Sequence, residues 1–175
     1  GNSATTSTSN GSTFHYITQT SNNDVSADST TNLLVVDGVS ANTTAAANVS
    51  QHHNVNGENR GFQTQTGNAN VSATTTGTFD TVTDFAALGS VATGNSHLAT
   101  GSTTTSYTGA VQTMADGTSV SAQADATVAY ANNVAASASA AGNSTEVDNE
   151  WGFATLGRDG SEVFQYNGAA VDADS

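Results

Sequence analysis

The chain has 175 residues, enough for one domain, of which only 35% are hydrophobic and 10% charged, against about 25% charged in an ordinary soluble domain. Fifteen acidic residues face two Arg and no Lys, a net charge of −13, which excludes binding to nucleic acid or to an anionic membrane surface because both need clustered cations. Cys and Pro are absent, so no disulfide can form, and no apolar run approaches the ~20 residues of a membrane span.

Residues 1–11 hold no large apolar side chain and read as a polar tail, mobile unless a partner orders it; residues 12–175 read as a single β-rich domain. Residues 12–20 alternate, with Phe14, Tyr16 and Thr18 on one face and Thr13, His15 and Ile17 on the other, the pattern of a strand. Leu33 to Val36 is the most hydrophobic run and predicts a strand buried on both faces, ended by a hairpin turn at Asp37-Gly38. Residues 41–61 are polar and read as loop or weak strands. Residues 62–79 suggest two strands around Gly67-Asn68, and Thr81 to Leu88 is a short helix candidate with a weak capping box at Thr81 and Asp84. From 90 to 148 small residues alternate at strand spacing; Asp116-Gly117 is a turn, and the Ser-Ala alternation of 131–142 favours strand over helix. The C-terminal region reads as two hairpins, turning at Arg158-Asp159-Gly160 and Asn167-Gly168. Their aromatic residues Trp151, Phe153, Phe164 and Tyr166 would then form a cross-strand cluster.

A degenerate motif recurs, as in TQTSNNDVSAD (18–28), TQTGNANVSA (64–73), SVATGNSHLAT (90–100) and SASAAGNSTEV (137–147). A small or Thr-rich alternating run meets a Gly-Asn or Asn-Asn corner and resumes. Gly and Asn tolerate left-handed backbone angles, so these are corners between short strands, as in β-solenoids and β-sandwiches. Counted from corner Asn to corner Asn (Asn68, Asn95, Asn132/Asn133, Asn143), the spacings are unequal. The fold class is therefore all-β, a β-sandwich or an irregular β-solenoid.

Catalytic raw material is poor. There is no Cys or Lys nucleophile, and no nucleophile elbow, phosphate loop or zinc-helix motif, so no catalytic residue is expected. His52-His53 would point opposite ways in an extended segment, Ser96-His97 reads as a polar turn, and no metal site is expected. Asp159 to Glu162 and Asp172 with Asp174 are candidate oxygen ligands for Ca²⁺ but match no known loop pattern, leaving no cofactor expected beyond that ion. Five sequons, at Asn10, Asn42, Asn48, Asn70 and Asn143, are candidate glycosylation sites.

The runs SVATGNSHLAT and GAVQTMADGTSVSAQADATVAYANNV, within residues 61–148, resemble the holdfast anchor proteins of stalked alphaproteobacteria. That resemblance implies a secreted, surface-anchored or fibre-forming adhesion protein, with a surface polysaccharide as partner and no enzyme activity. The residues themselves favour a self-assembling extracellular subunit. The short strand containing Phe14, Tyr16, Ile17 and Thr18 is the candidate donor to a neighbouring subunit's sheet, a contact that does not close and so builds filaments. The alternative is a monomeric β-sandwich that binds carbohydrate or Ca²⁺.

Overall fold

A computed structural model describes residues 1–157 and 163–175. Its nine strands are β1 (Asn2–Thr8), β2 (Thr13–Ser21), β3 (Val25–Gly67), β4 (Val71–Met114), β5 (Ser119–Ala131), β6 (Val134–Trp151), β7 (Ala154–Leu156), β8 (Val163–Asn167) and β9 (Ala170–Asp174). Each pairing between them is parallel, and each joins a residue to one a full coil further along. Asn2 lies beside Asn48, Val25 beside Val71, Asn48 beside Asn95, Val71 beside Val120 and Asn95 beside Asn143. The chain is a parallel β-solenoid whose coils stack at the usual ~4.8 Å strand spacing. Coil 1 runs over residues 1–46, coil 2 over 47–93 and coil 3 over 94–141, and the described residues from 142 onward form coil 4.

The repeat is present in the sequence once the register is known. Val-Ser-Ala at 25–27, 71–73 and 120–122, and Val-Asp-Ala at 171–173, occupy one column. Gln19-Thr20, Gln65-Thr66 and Gln112-Thr113 occupy another, joined by Gln165-Tyr166. Small, Thr-rich alternation suits a stacked coil, because one face of each strand must fit a narrow interior and the other faces water.

Three corners bend each coil. Corner 1 lies at Asn22–Asp24, Asn68–Asn70, Ala115–Thr118 and Gly168-Ala169, between strands. Its side chains cap the neighbouring coil: Asn68 Nδ2 donates to Asn22 Oδ1 at 2.8 Å, and the backbone N–H of Asn70 donates to Asp24 Oδ1 at 2.9 Å. Corner 2 lies at Asp37-Gly38, where the register shifts by one residue, and at the Asn132-Asn133 step between β5 and β6. Corner 3 turns at Gly11, Gly57 and Gly152, with φ of 106°, 115° and 110°. Glycine is required there twice over: the angle is left-handed, and a Cβ on Gly57 would collide with the backbone of Gly11.

The interior is shallow and its opposing walls touch. Near corner 2, Phe79, Val82, Ala86 and Leu88 form an apolar cluster, and near corner 1 a second cluster contains Val71, Ala73, Ala92, Met114, Val120 and Ala122. Toward corner 3 the interior becomes polar, with Asn48, Ser50, His52, Asn54, Gln63, Gln65, His97 and Gln112 at most 2% exposed.

Several expectations are corrected. The solenoid, not the sandwich, is the architecture, because a sandwich of hairpins needs antiparallel neighbours. Asp37-Gly38 and Asn167-Gly168 are coil corners, not hairpin turns; the turn expected at Arg158-Asp159-Gly160 lies outside the described residues. Residues 41–61 are continuous strand within β3, and Thr81 to Leu88 is strand within β4, since a chain with coils on both sides gains more from ladder pairing than from one short helix. Leu33, Leu34 and Val35 are 39%, 80% and 67% exposed rather than buried on both faces, because they run along the outermost coil. The polar N-terminal segment forms β1 against Asn48–Asn54 of the same chain. Asn95 and Asn143 are the same strand position one coil apart and not corners, whereas Asn68 lies at corner 1 and Asn132 at corner 2, which is why spacing counted across them looked irregular.

Candidate functional site

The most organised chemistry in the molecule lies inside the coil. In the first of two amide ladders, Asn2 Nδ2 donates to Asn48 Oδ1 (2.8 Å), Asn48 to Asn95 (2.8 Å) and Asn95 to Asn143 (2.7 Å). The second amide hydrogens of Asn48, Asn95 and Asn143 go to the backbone carbonyls of Thr66, Thr113 and Tyr166 across the interior. In the second ladder Gln65 Nε2 donates to Gln19 Oε1 (2.8 Å), Gln112 to Gln65 (2.8 Å) and Gln165 to Gln112 (2.6 Å). These ladders run in opposite senses. The face a coil turns to the next coil offers an Asn donor and a Gln acceptor, and the face turned to the previous coil offers an Asn acceptor and a Gln donor. Such ladders are the side-chain counterpart of stacked strands in cross-β structures.

Beyond the ladders, toward corner 3, lies a histidine stack. The rings of His15 and His52 are parallel at 3.4 Å between centroids, and His52 is 5.4 Å from His97. Gly61 makes room for it, since a Cβ there would collide with the His15 imidazole. Ser50 Oγ donates to Gln63 Oε1 at 2.7 Å and lies 2.8 Å from His97 Nδ1, while Thr108 Oγ1 is 3.2 Å from His97 Nε2. With the Ser50 proton directed to Gln63, Nδ1 of His97 is the donor and Nε2 the acceptor, which is a neutral ring. Burial lowers His15 and His52 to about 4 and His97 to about 3, and neighbouring rings add to the effect on His52 and His97.

The outer surface carries the predicted site residues in other arrangements. Phe14, Tyr16, Ile17 and Thr18 lie in β2, paired with Arg60 to Thr64 of their own chain, so the structure shows the expected donor strand as an outer rung of its own sheet. Phe14 packs edge-on against Tyr16 at 5.1 Å, and Tyr16 lies 6.2 Å from Phe62. The four C-terminal aromatics are not brought together as a hairpin would bring them. Trp151 sits beside Thr103 and Phe164 beside Val111, well apart along β4. Trp151 and Phe153 instead line an open groove with Tyr107, Glu58 and Gly57 at corner 3. Arg60 lies over the Tyr107 ring at 5.4 Å and pairs with Glu58 at 2.8 Å.

Among the sequons, Asn48 is fully buried in its ladder, so its amide is not at the surface of the folded chain, and Asn143 is half-buried at the end of the same column. Asn10, Asn42 and Asn70 are exposed. Of the candidate Ca²⁺ ligands, Asp159 to Glu162 lie outside the described residues, and Asp172 and Asp174 are exposed on β9. No group of three or more His, Cys, Asp or Glu side chains among the described residues converges on a metal position. The sequence reading missed both ladders; the columns at 19, 65, 112 and 165 and at 2, 48, 95 and 143 were the available signal.

No curated protein and no solved structure matches the chain significantly. The model of one family, HfaD, holdfast attachment protein D, matches residues 1–175. A match over the whole chain agrees with the resemblance seen in residues 61–148, and the chain belongs to the holdfast attachment protein D family.

Proposed function

We propose that this protein is a non-catalytic structural component of the layer that attaches the holdfast to the cell surface, and that it assembles by adding coil to coil between molecules. Family membership supports a role in surface attachment. The two antiparallel amide ladders carry the assembly reading. Each coil face is chemically matched to the opposite face of another coil and mismatched to its own kind, since like faces would set Asn donor against donor and Gln acceptor against acceptor. Contacts between molecules would then repeat the contacts within one, head to tail, giving an unclosed filament. In this form strand addition needs no withdrawal of β2 from its own sheet.

Sedimentation velocity over a hundredfold range of concentration, with negative-stain imaging of the same samples, tests the assembly. The expected result is rods of uniform width that lengthen with concentration. Compact particles of monomer mass throughout that range would refute it.

The groove of Trp151, Phe153 and Tyr107 supports a second reading, in which the outer surface holds a polysaccharide by stacking sugar rings on exposed aromatics. Calorimetry with holdfast-type oligosaccharides should then show binding that Trp151→Ala removes.

A further inference from the structure

Of the features outside the ladders, the histidine stack has the fewest structural reasons to be there. Four ring nitrogens, both of His15 and both of His52, have no hydrogen-bond partner, although His52 is only 2% exposed. Nearby, Asn59 and Gln63 Nε2 are also unpartnered. Buried polar atoms without partners are uncommon in native interiors. Alanine or valine, used freely elsewhere in this interior, would avoid the penalty. What imidazole offers instead is the ability to take up a proton near neutral pH.

Among the described residues, the surroundings supply nothing to receive that proton's charge. β1 carries no ionisable side chain. On β2, Tyr16 points outward and is 72% exposed. On β3, His53 is exposed and lies 2.9 Å from Thr100 Oγ1, and Glu58 and Arg60 are engaged with each other on the outer surface. On β4, Tyr107 lies under Arg60 on the same surface. On β6, Glu146, Asp148 and Glu150 are exposed. Among the described residues no carboxylate reaches the stack from inside the coil, so a charge on any of the three rings would stand unpaired beside two more imidazoles, one pair of them 3.4 Å apart.

We propose that His15, His52 and His97 form an acid-operated latch: while the rings are neutral they close the corner 3 half of the coils, and when they take up protons that half opens while the apolar corner 2 half stays folded. The sign follows from the direction of the shifts. All three rings hold protons less tightly when folded (about 4, about 4 and about 3) than the ordinary value of 6.5. The closed state is therefore fully favoured above about pH 6.5 and loses ground as pH falls from there toward 4, by about tenfold in its equilibrium per pH unit for each ring released. The corner 2 half contains no histidine, and its interior of Phe79, Val82, Ala86 and Leu88 has nothing to titrate.

Hydrogen exchange read by peptide between pH 7.5 and 4, corrected for the intrinsic pH dependence of exchange, tests the latch alongside NMR titration of the histidine rings. The expected result is a fall in protection over 2–21, 48–67 and 95–114 as pH drops below 6.5, with 71–92 still protected. The double variant His15→Phe with His52→Phe keeps stacked rings that cannot charge, leaves His97 alone to titrate, and should lose far less protection over 48–67 at pH 4.5 than the wild type. Three outcomes would overturn the latch. One is protection that stays flat to pH 4, another is both halves exchanging in step, and the third is a folded double variant that loses protection as the wild type does. Should the double variant not fold, the wild-type titration decides: rings protonating together with amide opening support the latch, and rings titrating near 6.5 with all amides still protected contradict it.

Discussion

The two ends of each coil solve the same packing problem with different chemistry. Near corner 2 the walls meet through Phe79, Val82, Ala86 and Leu88, a small apolar core of the ordinary kind. Near corner 3 they meet through amides, hydroxyls and imidazoles, with Asn95, Gln63 and Gln112 fully buried. Between them the hydroxyls of Thr43, Thr75 and Ser90 lie 2.7–2.9 Å apart in sequence of contact. The apolar end is held by area removed from water and is indifferent to register by one coil. At the polar end a coil stacked in the reverse sense leaves donors facing donors. Apolar contacts therefore supply cohesion, while the ladders specify the register and sense of stacking.

Breaking the polar end should have the largest effect. Asn95→Leu leaves the Asn48 donor, the Asn143 acceptor and the Thr113 carbonyl without their partner, and at about 1–3 kcal/mol for each orphaned group the loss should reach roughly 4 kcal/mol in urea unfolding at neutral pH. At the apolar end Phe79→Ala opens a cavity under a side chain that is 2% exposed and should cost about 3–4 kcal/mol. It should leave the sense of coil stacking unchanged. Leu34→Ser, at an 80% exposed position beside corner 2, should change stability by less than about 0.5 kcal/mol; a larger loss would mean that the outer surface at that end contributes to the core.

Much of this division could be read from the residues, and some could not. Alternation of Thr, Ser, Ala and Val identified strands, and Gly and Asn identified corners, because those signals are local. The pairing partner of each strand lies 46 or more residues away, and nothing local distinguishes a corner leading into a parallel coil from a turn leading into a hairpin. Asp37-Gly38 and Asn167-Gly168 show the ambiguity: both are good hairpin dipeptides, and both serve as corners. Asn48 and Gln65 were invisible as core residues for a related reason. A buried amide is costly alone and favourable only when its copy lies one coil away, so its meaning depends on the period. The histidine stack was hidden in the same way, since His15, His52 and His97 meet only after the coils have formed.

Both amide ladders and the histidine stack depend on the coil register, and the absence of native Cys makes that register directly testable by cross-linking. Ser26→Cys with Ser72→Cys, and separately Ser72→Cys with Ser121→Cys, place thiols on adjacent coils in one outward column. Mild oxidation of dilute protein should close an intramolecular disulfide in both pairs and leave Ser26→Cys with Thr74→Cys, one step out of register on the same face, largely free. If the first two pairs stay reduced while the shifted pair closes, the strands do not stack as parallel coils with these partners.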